Sequence, residues 1–402
     1  MFGNGPTLGD VIRRFGPALL ARSGSGVTPA QRAVLTTLGR CHTAALGGHL
    51  YRCDACGAEV TAYNACGNRH CPSCLGHKSA QWLKARAAEL LPVPYFHVVF
   101  TVPTEVAELA LGNKKVVYSI LLRAAAETLL EVAANPAHLG ADLGFLAILH
   151  TWTQTLLHHP HVHCIVPAGG IAPDGSRWVP SRANFFLPVR VLAPVFRGKF
   201  LAFLQKAQSA GALRFAGATA DLATPERFAT FLQTQRDRAW VVYAKAPFGS
   251  PEQVLKYLAR YTHRVAISDR RLLSIDDKSV TFRYRDNATG GTKSMTLDGV
   301  EFLRRFLLHV LPTGFVRIRY YGLLANRDRA QNLTRCRALL QGTRQATPAP
   351  SKPEAAESRA TDANERGRCA VCGVGSLHPV ASLAPVVESD GAPQTPPPRD
   401  TS

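Results

Sequence analysis

Chemistry is first legible in the run His158-His159-Pro160-His161-Val162-His163-Cys164-Ile165-Val166. In a strand, residues two apart share a face, so His159, His161 and His163 project together while Val162, Ile165 and Val166 anchor the strand in a core. A single histidine is usually a satisfied core residue, but three rings crowded on one face are unfavourable without an ion between them. Two imidazoles side by side make half of a divalent-metal site, with substrate oxygens and water completing the shell. Pro160 removes a ladder donor and marks an edge or a bulged start, which makes His159 the least regular of the three.

A second constellation follows Ser250-Pro251-Glu252-Gln253, which places Ser at an N-cap, Pro at N1 and Gln at N3. The helix predicted from there carries Tyr257 and Tyr261 four residues apart, on one face and one turn apart. Val254, Leu255 and Leu258 supply its buried side, and Lys256, Arg260 and Arg264 form a basic stripe suited to holding DNA. A phenol titrates near pH 10 (roughly;), so as a nucleophile it needs a metal or neighbouring cations. Taken alone, the pair reads as two amphipathic tyrosines on a surface helix. Beside the histidine strand it reads as a pair of nucleophiles for a phosphodiester.

The chain has ten cysteines, six of them between Cys41 and Cys74. Cys53-x2-Cys56 and Cys71-x2-Cys74 are two CxxC knuckles separated by fourteen residues. Two such knuckles aim four thiolates at one ion, so Cys53, Cys56, Cys71 and Cys74 are the predicted ligands of a structural zinc, with no open position for catalysis. Cys66 and His70 are held in reserve, and His49 and His77 are also nearby. The loop residues Asn68 and Arg69, with Lys78, would face phosphates. Cys369-x2-Cys372 is half a site in the tail, with His378 a distant third group.

The elements that must position these groups follow from pattern. Residues 1–49 read as helical, with an N-cap at Thr28 and Pro29 at N1. Ser79–Leu91 is a helix, Tyr95–Val102 a strand, and residues 104–135 are helical. His159–Val166 is strand-like, and hairpins are predicted around Pro173-Asp174-Gly175 and across 279–297. Helical pattern returns at 190–210, 224–235 and 299–309, Trp240–Tyr243 is a short strand, and Phe315–Tyr320 another. Tyr243, Tyr284, Tyr320 and Tyr321 fall in strand contexts and read as packing groups, while Arg317 and Arg319 share a polar face. The domains expected are 1–94, helical and zinc-binding; 95–340, catalytic; and 341–402, a disordered Pro/Ala-rich tail with a lone CxxC.

Composition sets the class of partner. The 402 residues are 46% hydrophobic and 19% charged, with a net charge of +19. From Gln341 onward six Lys/Arg face seven Asp/Glu, so the first 340 residues carry +20. A body so basic attracts polyanions by releasing their counterions. No run approaches the ~18–20 apolar residues of a membrane helix, and Met1–Arg22 lacks a signal peptide's apolar region. The expectation is a bacterial cytoplasmic protein, at the nucleoid, without a membrane partner. In that compartment clustered cysteines bind metal rather than form disulfides.

These residues together resemble the HUH (His–hydrophobic–His) endonucleases, and within them the two-tyrosine rolling-circle insertion-sequence transposases related to Helitrons. His161-Val162-His163 is the HUH triplet, Tyr257-x3-Tyr261 the tyrosine pair, and Cys53–Cys74 the family's zinc-binding region. Asn68-Arg69-His70-Cys71-Pro72, Leu149-His150-Thr151-Trp152 and Glu301-Phe302-Leu303-Arg304-Arg305-Phe306 also look like that family, and the similarity spans about residues 8–340. The resemblance implies an α+β fold: an antiparallel-sheet core with HUH on a central strand, flanking helices, and a small zinc-binding domain in front. It implies Mg²⁺ or Mn²⁺ on His161 and His163, tyrosine attack on single-stranded DNA at transposon ends and target, a 5′-phosphotyrosine link, and a free 3′-OH. The third metal ligand is open among His159, Gln253 and Gln154. A replication initiator would share the chemistry but does not explain the zinc region, and a DNA-binding protein with a decayed nuclease centre does not explain the intact His161, His163, Tyr257 and Tyr261.

Overall fold

A computed structural model describes residues 5–248, 253–254, 266–286, 289–344 and 368–386. Two capped helices open the chain, α1 (Leu8–Ser23) and α2 (Pro29–Gly39). Each has a reciprocal capping box, Thr7 with Asp10 and Thr28 with Gln31, which satisfies amide donors that a first turn otherwise leaves free. The hairpin β1 (Gly48–Cys53) and β2 (Glu59–Tyr63) follows, then α3 (Pro72–Ala87). Next come β3 (Tyr95–Thr101), α4 (Thr104–Gly112), α5 (Lys114–Ala134), β4 (Gly144–Trp152) and β5 (His158–Pro167). A small hairpin, β6 (Gly169–Ile171) and β7 (Trp178–Pro180), leads to α6 (Val189–Ser209), α7 (Pro225–Asp237) and β8 (Val242–Phe248). Beyond it lie β9 (Leu272–Ile275), β10 (Ser279–Arg285), β11 (Thr292–Asp298), α8 (Gly299–Leu308), β12 (Ile318–Gly322), α9 (Arg329–Arg344) and β13 (Leu377–Leu383). Among the described residues no helix is long and apolar enough to cross a membrane.

The histidine strand β5 is central in a five-stranded sheet of order β12-β4-β5-β3-β8, antiparallel at every pairing. This is the mixed helix and antiparallel-sheet class the sequence led us to expect. Val162, Cys164 and Val166 of β5 pack with Phe96, Val98 and Phe100 of β3 and with Phe145, Ala147 and Leu149 of β4. Val117, Leu121 and Leu129 of α5 and Phe196, Phe200 and Leu204 of α6 cover that face. Each such side chain contributes ~1.5–3 kcal/mol by leaving water. A one-residue slip of β5 would exchange its two faces, so this packing is what turns His161 and His163 to the other side. There, Tyr95, Leu146, Ile148 and Ile165 form a second buried cluster with Val254.

Several expectations are corrected. The 104–135 helix is two helices broken at Asn113, whose buried amide donates to the Leu109 and Arg214 carbonyls (3.0 and 2.8 Å) and accepts from the Arg214 amide (2.7 Å). Strand β4 was not anticipated, because its first eight residues are buried and show no polar alternation to read. The tail is not uniformly disordered: β13 pairs antiparallel with β1, from Gly48 opposite Leu383 to Cys53 opposite Leu377. The first two helices are not packed only against their own segment. Val11, Phe15, Val34 and Leu38 of the first two helices share one apolar cluster with Phe282, Phe302 and Phe306.

Candidate metal centres

Antiparallel register brings a third imidazole to the histidine strand. His150 of β4 lies directly opposite His161, and Ile148 opposite His163. Side chains directly opposite share a face, so one donor atom each from His150, His161 and His163 falls within 4.8 Å of the others. His161 Nδ1 lies 2.6 Å from the carbonyl oxygen of His159, so it donates its proton there and leaves the Nε2 lone pair for a metal. His163 Nδ1 is 2.8 Å from His97 Nε2, with the two rings stacked 5.0 Å apart. Burial pushes His161 down to about 4 and His163 well below its ordinary value, with neighbouring histidines adding to the second shift. These two rings are therefore neutral near pH 7, the form that binds metal.

His159, named from sequence as a third ligand, is not in this cluster. The β4–β5 register shifts between His150 and Trp152, so β5 carries an extra residue across His158–His161 where Pro160 sits. A bulge of this kind breaks the two-residue alternation, and the His159 ring stands 5.3 Å from that of His161 and outside the group of three. His150, which was not among the candidates His159, Gln154 and Gln253, is the histidine that lies with His161 and His163. The sequence signal for it was the run Leu149-His150-Thr151-Trp152, but nothing local tied that run to His161.

The cysteines are also re-sorted. Cys53 and Cys56 do not meet Cys71 and Cys74; Cys41, Cys66, Cys71 and Cys74 form one cluster, and Cys53 and Cys56 join Cys369 and Cys372 in another. In the first, the Cys41–Cys74, Cys66–Cys74 and Cys41–Cys71 sulfurs are 3.5, 3.6 and 3.6 Å apart. A tetrahedron of ~2.3 Å zinc–sulfur bonds has edges of ~3.8 Å, so this donor set fits zinc, and none of these cysteines is in a disulfide. Cys41 was missed because it lies outside any CxxC spacing, at the end of α2. His70, held in reserve, instead accepts from the Leu311 amide at Nε2 (3.2 Å) and meets Asn68 Oδ1 at Nδ1 (3.2 Å).

Known proteins match along most of this length. A family model described as "Transposase zinc-binding domain" matches residues 11–102, and one described as "Putative transposase" matches 144–332. A "Putative transposase y4qJ" of Sinorhizobium fredii is 52% identical over 88% of this chain and 88% of its own length. The chain belongs to this transposase family. The transposase for insertion sequence element IS801 of Pseudomonas savastanoi pv. phaseolicola is 27% identical over 89% of this chain and 85% of its own. A solved conjugative relaxase, TrwC in a metal-free complex with oriT DNA, aligns over 61% of this chain and 71% of its own at 13% identity with a TM-score of 0.22.

In the transposase, Tyr257, Tyr261, Lys256, Arg260 and Arg264 lie outside the described residues, as do the side chains of His77 and Lys78. Gln253 is exposed, whereas Val254 is fully buried against Tyr95, Leu146, Ile148 and Ile165 on the histidine face of the sheet. Arg69, expected to face phosphates, is exposed, and its guanidinium donates to the Phe315 and Pro312 carbonyls at 2.7 and 3.1 Å. Arg317 is half-buried, and burial with the nearby Arg69 guanidinium pushes it down to about 10. Tyr320 and Tyr321 pack as expected, the latter stacked 5.6 Å from Phe145.

Proposed function

We propose that this transposase nicks and rejoins single-stranded DNA at the ends of its element through a phosphotyrosine intermediate, driving rolling-circle-type transposition. The observation that carries the reading is the convergence of His150, His161 and His163 on the sheet face against which Val254 packs. In sequence Tyr257 and Tyr261 follow Val254 by three and seven residues, the spacing that shares one helical face.

His150, His161 and His163 would hold a divalent ion, Mg²⁺ or Mn²⁺, which supplies Lewis-acid polarisation of the scissile phosphate. Three neutral nitrogens leave its charge uncompensated, and so favour a phosphate oxygen and water as the remaining ligands. Imidazole suits Mn²⁺ better than the harder Mg²⁺. The phenol oxygen of one tyrosine attacks phosphorus, the bond to the 3′ oxygen breaks, and the phenolic proton passes through water to that oxygen. The product is a 5′-phosphotyrosine and a free 3′-OH. Lys256, Arg260 and Arg264 offset charge developing on the phosphoryl oxygens. Attack by a 3′-OH on the phosphotyrosine restores the phenol and rejoins the strand, and the second tyrosine serves a second cleavage. DNA as substrate places the enzyme at the nucleoid in the cytoplasm.

The test is to incubate the protein with single-stranded and duplex element ends plus Mg²⁺ or Mn²⁺ and separate covalent adducts by denaturing gel. Adduct forms on the single strand and is abolished by Tyr257→Phe with Tyr261→Phe. An adduct surviving the double change would sink the tyrosine assignment, and equal reaction on duplex would sink the single-strand preference.

A further inference from the structure

The second cysteine cluster draws its ligands from opposite ends of the chain. We propose that Cys53, Cys56, Cys369 and Cys372 hold a second zinc ion, which clasps the C-terminal segment onto the N-terminal zinc-binding domain. The family's zinc-binding model ends at residue 102, so it contains only half of this site.

The geometry is that of a built tetrathiolate. One sulfur from each of the four residues lies within 4.8 Å of the others, with Cys53–Cys372 at 3.7 Å and Cys56–Cys369 at 3.8 Å. Those separations match the ~3.8 Å edge of a zinc–thiolate tetrahedron. The two knuckles, Cys53-Asp54-Ala55-Cys56-Gly57 and Cys369-Ala370-Val371-Cys372-Gly373, are near copies. Gly57 N donates to Cys53 O at 3.0 Å, and Gly373 N to Cys369 O at 2.9 Å. The Val371 and Gly375 amides donate to the Cys369 and Cys372 sulfurs, both at 3.4 Å, stabilising thiolates. Gly375 sits so close to the first knuckle that a Cβ there would meet Cys53 Sγ at 2.4 Å.

Apolar burial does not hold this segment. Five of the seven residues of β13 are exposed and none is buried, and β2 alternates exposed and half-buried residues. What joins the termini besides the β1–β13 ladder is polar: Asp54 accepts from the Ser376 amide at 2.8 Å and meets His378 Nε2 at 3.2 Å. A small open sheet of this kind is marginal without a further staple, and four convergent thiols at its end supply one. The two zincs therefore differ in access: Cys41, Cys71 and Cys74 are buried, whereas Cys56 is exposed.

The test uses the whole chain loaded with Co²⁺, because sulfur-to-cobalt charge-transfer absorption reports thiolate sites and not the histidine triplet. Wild type is expected to take two thiolate-bound equivalents, and Cys369→Ser with Cys372→Ser one, halving the band. In wild-type zinc protein, a mild chelator should remove one zinc quickly and one slowly, with the fast loss deprotecting the amides of 377–383 to hydrogen exchange. Readdition of Zn²⁺ should restore them. A wild type that takes a single thiolate-bound equivalent, or a double variant with an unchanged band, would overturn the clasp. So would 377–383 amides that stay protected when the fast zinc leaves.

Discussion

Which nitrogen each imidazole turns outward is settled by its second hydrogen bond. The His159 carbonyl holds His161 Nδ1, and His97 holds His163 Nδ1, so the proposed metal affinity depends on groups that touch no metal. Losing such a partner typically lowers metal affinity ~10–100-fold. His97→Ala should therefore weaken Mn²⁺ binding, measured by calorimetry, by that factor, and His97→Gln should recover part of it by restoring a polar partner. Loss of a ligand should cost at least as much. His150→Ala is expected to match His161→Ala in Mn²⁺ binding and nicking, while His159→Ala stays within a few-fold of wild type. A full loss in His159→Ala with activity kept in His150→Ala would reverse the assignment of the third ligand. The His161 and His163 pair was legible in sequence because a two-residue spacing acts within one strand. His150 was not, since only the β4–β5 register puts it opposite His161.

At the scale of elements, capped helices and strands rich in β-branched and aromatic residues were readable, while a run without polar alternation or capping signals was not. Thr28-Pro29 marked α2, and the hairpin expected across 279–297 is β10 and β11, ending one residue later at Asp298. Strand β4 hid in an apolar run, and α9 was missed altogether. How elements dock was equally hidden. The first residue of α8, Gly299, faces α1 so closely that a Cβ would meet the Phe15 ring at 2.4 Å. Gly299→Ala overpacks that contact and should cost about 1–3 kcal/mol in urea unfolding. Adding Phe15→Leu should recover part of the loss, because it removes the obstructing ring; no loss in the single variant would show that α1 shifts freely.

Over the whole molecule, buried neutral histidines tie stability to pH. Burial is the largest cause holding His70, His158 and His309 down to about 3, with nearby cations or protonated rings adding to it, against an ordinary value of 6.5. Between those values the unfolded chain binds protons that the folded chain does not, so stability rises with pH across the window. It is fully present above 6.5 and lost as pH falls toward 3. From pH 7.5 to 5.5 the loss should approach roughly 1 kcal/mol per histidine, seen as a falling urea midpoint before carboxylates begin to titrate. A flat midpoint over that range would show that these rings are not held neutral. The net charge of +19 adds an expectation for binding: affinity for single-stranded DNA should fall linearly in a log–log plot against salt.

By itself the sequence determined the kind of chemistry, because spacing inside one strand, one turn or one knuckle is set by covalent geometry: paired imidazoles, tyrosines four apart, thiols in CxxC pairs, and a basic body. Tertiary structure decided which of these local units meet. Cys53 and Cys56 lie fifteen or more residues from Cys71, yet they join thiols over three hundred residues away once β13 lies on β1. Partner choice of that sort depends on strand register and packing across the chain, which no local pattern encodes.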